Sequence, residues 1–512
     1  MRHKNVIQYS TSTPIENVNQ EYVSSENVRY ICCRLIFVLS CLAISFSSDS
    51  SSQLLRSIYI SDLTIINTEL SGCHVCITPD THLSVFVINS KVFDAARLVY
   101  SSHLETDFSL LVENSSITAT RIVDLLLQPT VTHCKLDFQT SNFTASLHSF
   151  VSFEADAPPM SHINITARDS HFRELERQAE HVMDVRSCSR HVTLDVQNSS
   201  FGYTSSSAIY LVASSVDVII HGNTFGSNHG SFDMQHCDAE TSRQVTISDN
   251  RFTGATYNGQ DINLYTGYSQ LHVVSDDINI SNNYFSSPIQ HRSRVGINIH
   301  SSYQRIYDQS YTISSNSFIN LAGTAIKVGT PIRMRLNITD NLITNSRCSQ
   351  YCVELKYYSN FEPVKITGNR FTGNYPDLGV IGTQKFPQYH VRDNYYVSRN
   401  EFANNSAPPL YTTTPYLTIE ENFFENNDNY NLRVAMTNNA FENDVINASL
   451  NYWGTSDVNA IARSIYDKRY DDRLPVVDFR PYLGSKDYSD VHDDELCMPR
   501  HCAHGSCNLT TG

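Results

Sequence analysis

A short phrase recurs along this chain: an apolar–polar alternation, then Asn, one more residue, and Phe. It reads VTISDNRF (245–252), INISNNYF (278–285), YTISSNSF (311–318), LNITDNLI (336–343) and VKITGNRF (364–371). It returns as VSRNEF (397–402) and LTIEENFF (417–424), and more loosely as VDVIIHGNTF (216–225). The Asn positions are Asn223, Asn250, Asn283, Asn316, Asn341, Asn369, Asn400 and Asn422, spaced 22 to 33 residues apart. A fixed phrase on a variable period predicts one coil of a solenoid per repeat, with insertions confined to loops.

The local chemistry selects which solenoid. Apolar residues recur every second position, as in Val245 and Ile247, Ile278 and Ile280, or Val364 and Ile366. Helical repeats would place them at i, i+3, i+4 and i+7. The alternating runs are rich in Thr, Ile, Val, Tyr and Phe, which suit a strand. Asn then falls where the strand must bend, because it tolerates left-handed backbone angles and bonds its own backbone. Identical corners one coil apart would let the amides form a ladder and the Phe rings stack beneath them. The expected fold is all-β: a right-handed parallel β-helix solenoid over residues 63–450, of about 14 coils at roughly 27 residues each. Weaker repeats extend it toward the N-terminus, among them LTIINTEL (63–70), VFVINSKVF (85–93) and INITARDSHF (163–172). Two or three β-sandwich domains would also give short strands and turns, but have no reason to repeat one Asn–Phe corner.

At the C-terminal end the pattern changes. NYWGTSD (451–457) holds the single Trp, and Val458, Ile461 and Ile465 then fall at i, i+3 and i+7. That spacing predicts a short helix capped by Thr455 or Ser456. VVDFRPYL (476–483) follows as a strand. A β-helix ends in an open ladder edge, so residues 451–483 are expected to form a short helical and strand cap, with Trp453, Ile461 and Ile465 as its apolar contacts.

Three features point to an extracellular chain. LIFVLSCLAISF (35–46) follows Arg29 and Arg34 and precedes a serine-rich stretch. It is too short to span a bilayer, and residues 31–48 fit a signal peptide or signal anchor. The polar residues 1–30 before it are expected to be disordered. Nine Asn-x-Ser/Thr sequons occur, at Asn114, Asn142, Asn164, Asn198, Asn279, Asn337, Asn404, Asn447 and Asn508. Strand alternation predicts that Asn279 and Asn337 point outward, as glycosylation requires. Ten cysteines lie outside the signal region. Cys348 and Cys352 read as a local disulfide, and Cys188 with Cys237 as a bridge between coils. Cys73-x-x-Cys76 beside His74 lacks the second pair that a zinc site would need.

With 37 basic and 52 acidic residues the net charge is −15, and no basic stripe appears. Nucleic acid and anionic membrane are therefore not expected as partners. No P-loop, no strand–GxGxxG–helix and no HExxH is present, so no cofactor is expected. Enzymes of this architecture attack polysaccharides with paired carboxylates or with a basic side chain beside calcium. The available carboxylates are Asp261, Asp276–Asp277, and Asp249, Asp340 and Asp393 just before their corner Asn. Neighbouring Asp276 and Asp277 would point to opposite faces, and Asp before Asn is an ordinary turn residue. Tyr303, Tyr307, Tyr357, Tyr358, Tyr395 and Tyr396 are the aromatics available for a sugar groove.

NYWG, the spaced isoleucines, Asp467, Asp471–Asp472 and V-x-F-x-P-x-L together resemble the end of each β-helix segment in large cell-surface proteins of the bark beetle type. The resemblance covers residues 63–483, and its specific part is 451–483. It implies a pectin-lyase-like β-helix in a single-pass receptor-like protein of maturing three-cell junctions. After an acidic linker (484–496), CMPRHCAHGSC (497–507) is similar to the opening of an EGF-like module, truncated at 512. By that analogy Cys497 would pair with Cys507, leaving Cys502 without its partner. The expectation is a non-enzymatic extracellular scaffold, adhesion or recognition protein, a fragment of a larger one, whose partner is an extracellular protein or glycan. Membrane attachment would come only through an uncleaved signal anchor or a further C-terminal region. The alternative is a polysaccharide lyase, glycoside hydrolase or carbohydrate-binding β-helix.

Overall fold

The structure is a computed structural model. It describes Val6–Thr11 and residues 60–494, apart from loop segments at 72–74, 78, 80–82, 129, 146–150, 156–161, 175–180, 203–205, 227–229, 237–241, 254–258, 267–274, 288–293, 302–308, 331–333, 358–362, 386–394 and 436–443. The signal segment, Cys73, Cys237, Asp393 and the EGF-like residues, with Cys497, Cys507 and Asn508, lie outside the described residues. Strand accounts for 66% and helix for 2%, which rules out a helical repeat. The chain is an all-β parallel β-helix and divides into two units, Met1–Asn279 and Ile280–Gly512.

Each coil of the first unit contributes to three parallel sheets. The first sheet holds Leu83–Ile88, Phe108–Glu113, His133–Gln139 and His162–Arg168. Each residue there pairs with the one a coil away, so His162–Arg168 lies in full register on 133–139 and on 191–197. A tight corner leads to the second sheet, which includes Asn142–Ala145 and His171–Glu174. The third sheet holds Val151–Ala155 and Gly230–His236, together with parts of the long strands Met183–Gln197 and Ser207–His221. Alternate residues are buried, as the period of two predicted: Val85 and Val87 are fully covered while Ser84 and Phe86 are half-exposed. Six residues of the stretch expected to be disordered, Val6–Thr11, instead form an antiparallel strand on Ile60–Ile66. That strand occupies the edge hydrogen bonds of the first coil.

The corner is built from two residues. The left-handed position is the one before the ladder Asn, which corrects the assignment of that conformation to Asn itself. Asn198, Asp249, Asp340, Arg399 and Glu421 all have φ between 49° and 58°. Gly368 takes this position at φ +71°, where an added Cβ would lie 2.4 Å from Asp340 Oδ1. The following residue turns inward and is buried. In the second unit the backbone N–H of Asn283 donates to Asn316 Oδ1, Asn316 to Asn341, Asn341 to Asn369, Asn369 to Asn400, Asn400 to Asn422, and Asn422 to Asn451, all at 2.9–3.0 Å. From Asn316 to Asn451 each Nδ2 also reaches a strand carbonyl, such as Asn369 to Ile338 at 2.8 Å.

In the first unit the same ladder is mostly serine. Thr68, Ser90, Ser115, Ser141 and Ser170 each donate their N–H to the Oγ of the next rung, ending at Ser199. Ser199 then donates to Asn223 Oδ1, and Asn223 to Asn250, both at 2.8 Å. A second ladder runs through Ser346, Asn374, Asn405 and Asn427 of the second unit. Phe143, Phe172, Phe201, Phe225 and Phe252 stack beneath the first-unit corner, with centroids 4.9–5.0 Å apart and planes within 10°.

Residues 451–483, read from sequence as a cap, close the second unit with three differences from the expected elements. Trp453 stacks on Phe424 at 4.7 Å, continuing the Phe371–Phe402–Phe424 column. The helix is only Val458–Arg463, and its N-cap is Asp457, which accepts from Asn459 N, rather than Thr455 or Ser456. Ile461 is buried in it, whereas buried Ile465 belongs to the short strand Ile465–Tyr466, paired with Leu432–Val434. The expected strand over 476–483 is split into Val476–Asp478 and Tyr482–Leu483. Asp467 is fully buried and joins the cap segments: one oxygen accepts from Arg469, the other from Val477 N at 2.9 Å.

Two outcomes follow. Asn369→Ala strands a buried N–H and a buried carbonyl, at about 1–3 kcal/mol each. Asn369→Ser keeps an acceptor of the kind the first unit uses, so chemical denaturation should rank it between wild type and Ala. Equal loss for Ser and Ala would contradict the ladder. Trp453→Ala should cost about 3–5 kcal/mol and leave an aggregating or unsecreted chain; a monomeric, normally secreted variant would refute its capping role.

Candidate recognition surface

The first-unit carboxylates singled out from sequence do not converge. Asp276 is buried against the equally buried Arg243, whose Nε donates to its Oδ1 at 2.7 Å and whose Nη2 reaches its other oxygen. Asp277 points to solvent on the opposite face. Asp249 and Asp340 are left-handed corner residues, and Asp249 lies 3.2 Å from His221. Asp261 is buried. Of the aromatics, Tyr395 is 2% exposed and serves as core, and Tyr396 is half-buried with its hydroxyl on Glu420. Tyr303, Tyr307 and Tyr358 lie outside the described residues, and for Tyr357 only the backbone is described.

The sequon asparagines sort by surface. Asn114 and Asn198 are exposed corner residues at φ 47° and 49°, and Asn404 is a left-handed turn at 56°. Asn142 opens a second-sheet strand and is exposed. Asn164, Asn279, Asn337 and Asn447 lie on strands of the first-sheet class, solvent-facing or half-exposed between buried neighbours. Asn337 and Asn447 belong to one register column with Lys365, Tyr396 and Thr418. None of the eight described sequons lies on the third sheet.

That third sheet carries ionisable and aromatic side chains of its own. In the first unit, register aligns Tyr100, Asp124, the backbone of Ser152, Asp184, Tyr210, Asp233 and Asn263 in one column, in which Asp184 is buried. Arg121 and Arg97 both reach Asp124, at 2.8 and 3.3 Å. Arg186 grips Asp184 through two bonds of 2.9 and 3.0 Å, and its guanidinium lies 5.4 Å from the Tyr210 ring. His181 stacks on Tyr210 at 4.6 Å. Asn263 donates to Asp233 at 3.0 Å. Burial raises the Asp233 carboxyl to about 6, although hydrogen bonds from Asn263 and Gln235 favour its charged form. Burial, then the Asp233 charge, raises Tyr210 as well.

In the second unit the corresponding column is Asn298, Lys327, Glu354, Gly382, Tyr411, Arg433 and Tyr466. Lys356 and Lys327 flank the nearly buried Glu354 at 2.8 and 3.6 Å. Arg433 lies between the Tyr411 and Tyr466 rings, at 5.8 and 5.7 Å. Tyr430, Tyr466 and Tyr470 form a contiguous cluster beside it, with centroids 5.2–5.7 Å apart. Tyrosine and arginine at this density are the composition of recognition surfaces. Sequence reasoning missed both columns, because their members lie a coil apart and share no motif.

Cys348 and Cys352 are disulfide-bonded, with Cα atoms 4.9 Å apart. Cys188 has only its backbone described, so its pairing with Cys237 falls outside the described residues. No protein-family model, no curated protein and no solved structure matches this chain.

Asp233 gives a signed pH test. Its folded pKa of about 6 lies above the ordinary 3.8, so the folded state binds the extra proton between those values and stability rises as pH falls. Asp233→Asn should be more stable than wild type at pH 7, with the difference vanishing below about pH 4. A difference that is constant with pH would contradict the burial of this carboxyl.

Proposed function

We propose that this chain is a non-enzymatic extracellular scaffold that recognises a protein or glycan at cell–cell or cell–matrix contacts through its third-sheet surface. One observation carries the reading: the described sequons occupy first-sheet, second-sheet and corner positions, while the third sheet has none of them and carries outward Tyr, Arg and Asp. N-linked sugars would cover the first group of surfaces and leave the third sheet open to a partner. The signal-like segment, the Cys348–Cys352 disulfide and the bark beetle-like residues 451–483 are consistent with an exported cell-surface protein.

The test is expression through a secretory pathway, followed by binding of the collected protein to cells and to a glycan array. The expected result is a secreted chain whose mass falls on treatment with peptide:N-glycosidase. Its binding should weaken at least tenfold in Arg433→Ala or Tyr466→Ala and persist in Asn337→Gln. Retention in the cytosol without glycans, or binding indifferent to both third-sheet changes, would sink the proposal.

A second reading, hydrolysis of a polysaccharide, draws on Asp184 and Asp233. They flank Tyr210 two strands apart, on the order of 9.5 Å by strand spacing, near the separation used by inverting glycosidases. Release of reducing ends by wild type, abolished in Asp184→Asn and Asp233→Asn, would replace the scaffold reading with this one.

A further inference from the structure

The last coils of the second unit carry an apolar surface on their first-sheet side that neither the third-sheet columns nor the ladder uses. Val445 is 60% exposed and its register partner Val476 is 41% exposed. Beside Val445 lies an open groove of about 670 Å³, within the roughly 300–1,000 Å³ of small-ligand sites. Pro363, Tyr396, Pro415, Tyr416 and Val445 make most of its wall, and the sequon residue Asn447 stands in the same wall.

We propose that the groove holds the chain's own N-linked glycan, carried on Asn447, with its inner sugars lying across the sheet on Tyr416 and Tyr396. The inference rests on the secretory reading above, since that pathway supplies the sugar donor. In the transfer, Asn447 Nδ2 attacks the anomeric carbon of a lipid-pyrophosphate-linked oligosaccharide. The C–N bond forms, the C–O bond to pyrophosphate breaks, and one amide proton leaves to a base of the transferase.

The Asn447 amide is oriented for this. It is exposed, and its Oδ1 accepts from Ser449 N at 3.2 Å. Nδ2 is thereby left on the other side of the amide, where it makes no hydrogen bond among the described residues. Register gives the direction. Asn447 pairs with Thr418, Thr418 with Tyr396, and Tyr396 with Lys365. Strands lie about 4.8 Å apart and a β-linked pyranose advances its chain by about 5 Å, so successive sugars track successive strands. The first sugar then lies over Thr418, beside Tyr416 two residues away on the same strand face, and the second over Tyr396. The Tyr396 hydroxyl is held by Glu420, so its ring loses little freedom on contact. In the opposite direction Asn447 pairs with Asp478, an exposed carboxylate with no ring to offer. The C–H face of N-acetylglucosamine packs on aromatic rings and its acetyl methyl on aliphatic groups such as Val445, while its hydroxyls stay in water. Asn337 lies at the far end of the same column, beyond Lys365, and does not line the groove.

The experiment uses the full chain secreted from cells that leave oligomannose glycans. The native protein is treated with an endoglycosidase that cuts between the two core sugars, and peptide mass spectrometry follows each sequon. Expected is cleavage at Asn447 at least tenfold slower than at Asn404, an exposed turn of the same unit. The protection should persist in Asn337→Gln and disappear on denaturation. Tyr416→Ala and, at an exposed position, Val445→Asp should each remove most of it while cleavage at Asn404 stays unchanged. Equal cleavage at Asn447 and Asn404 in native wild type, which needs no variant, would overturn the inference. So would protection indifferent to both variants, or an Asn447 without sugar on a chain glycosylated elsewhere; each leaves the secretory reading standing. A chain with no glycan at any sequon would sink both.

Discussion

Every coil depends on a backbone N–H at its first corner that no strand can satisfy. The chain leaves the first sheet through a left-handed residue, and the next residue is buried with its amide pointing along the helix axis. An unpaired buried donor would cost about 1–3 kcal/mol per coil, repeated throughout each unit. The solution is a side-chain oxygen from the same corner one coil further on. Because each acceptor is itself the donor to the following rung, register is fixed coil by coil. The Phe column two residues later has little freedom to slip.

This constraint explains the difference between the two units. Asn supplies an acceptor and two donors, so it satisfies the N–H of the preceding rung and also the carbonyls of its own and the previous coil, as Asn369 does with Asn341 N, Thr367 and Ile338. Ser supplies one hydroxyl, which bonds its own coil closely and reaches the previous coil at greater length, as Ser115 does with Glu113 at 2.8 Å and Val87 at 3.3 Å. Both close the ladder, and insertion length is then free to vary because only the corner is specified. Loops can therefore carry function without disturbing the stack.

The fold was legible because Asn-x-Phe and the period of two are local signals. The serine half of the ladder was not, although Ser141-x-Phe143, Ser170-x-Phe172 and Ser199-x-Phe201 stand in the sequence. Asn carries the more conspicuous signal, yet any short acceptor able to reach the neighbouring coil serves the ladder. The second ladder had a signal too: Asn374, Asn405 and Asn427 each follow a corner Asn by five residues. The candidate surfaces were less accessible to sequence reading. Asp184, Tyr210 and Asp233 meet through register across loops of variable length, and so do Tyr396, Thr418 and Asn447. Neighbouring Asp276 and Asp277 drew attention by proximity in sequence, which in a strand sends side chains apart.

The central claim concerns buried corner amides, and hydrogen exchange reads them one at a time. In the second unit the amides of Asn341, Asn369, Asn400 and Asn422 should rank with core strand amides among the slowest to exchange. Comparable exchange at these four positions and at an exposed turn residue such as Asn429 would contradict the ladder and the coil register built on it.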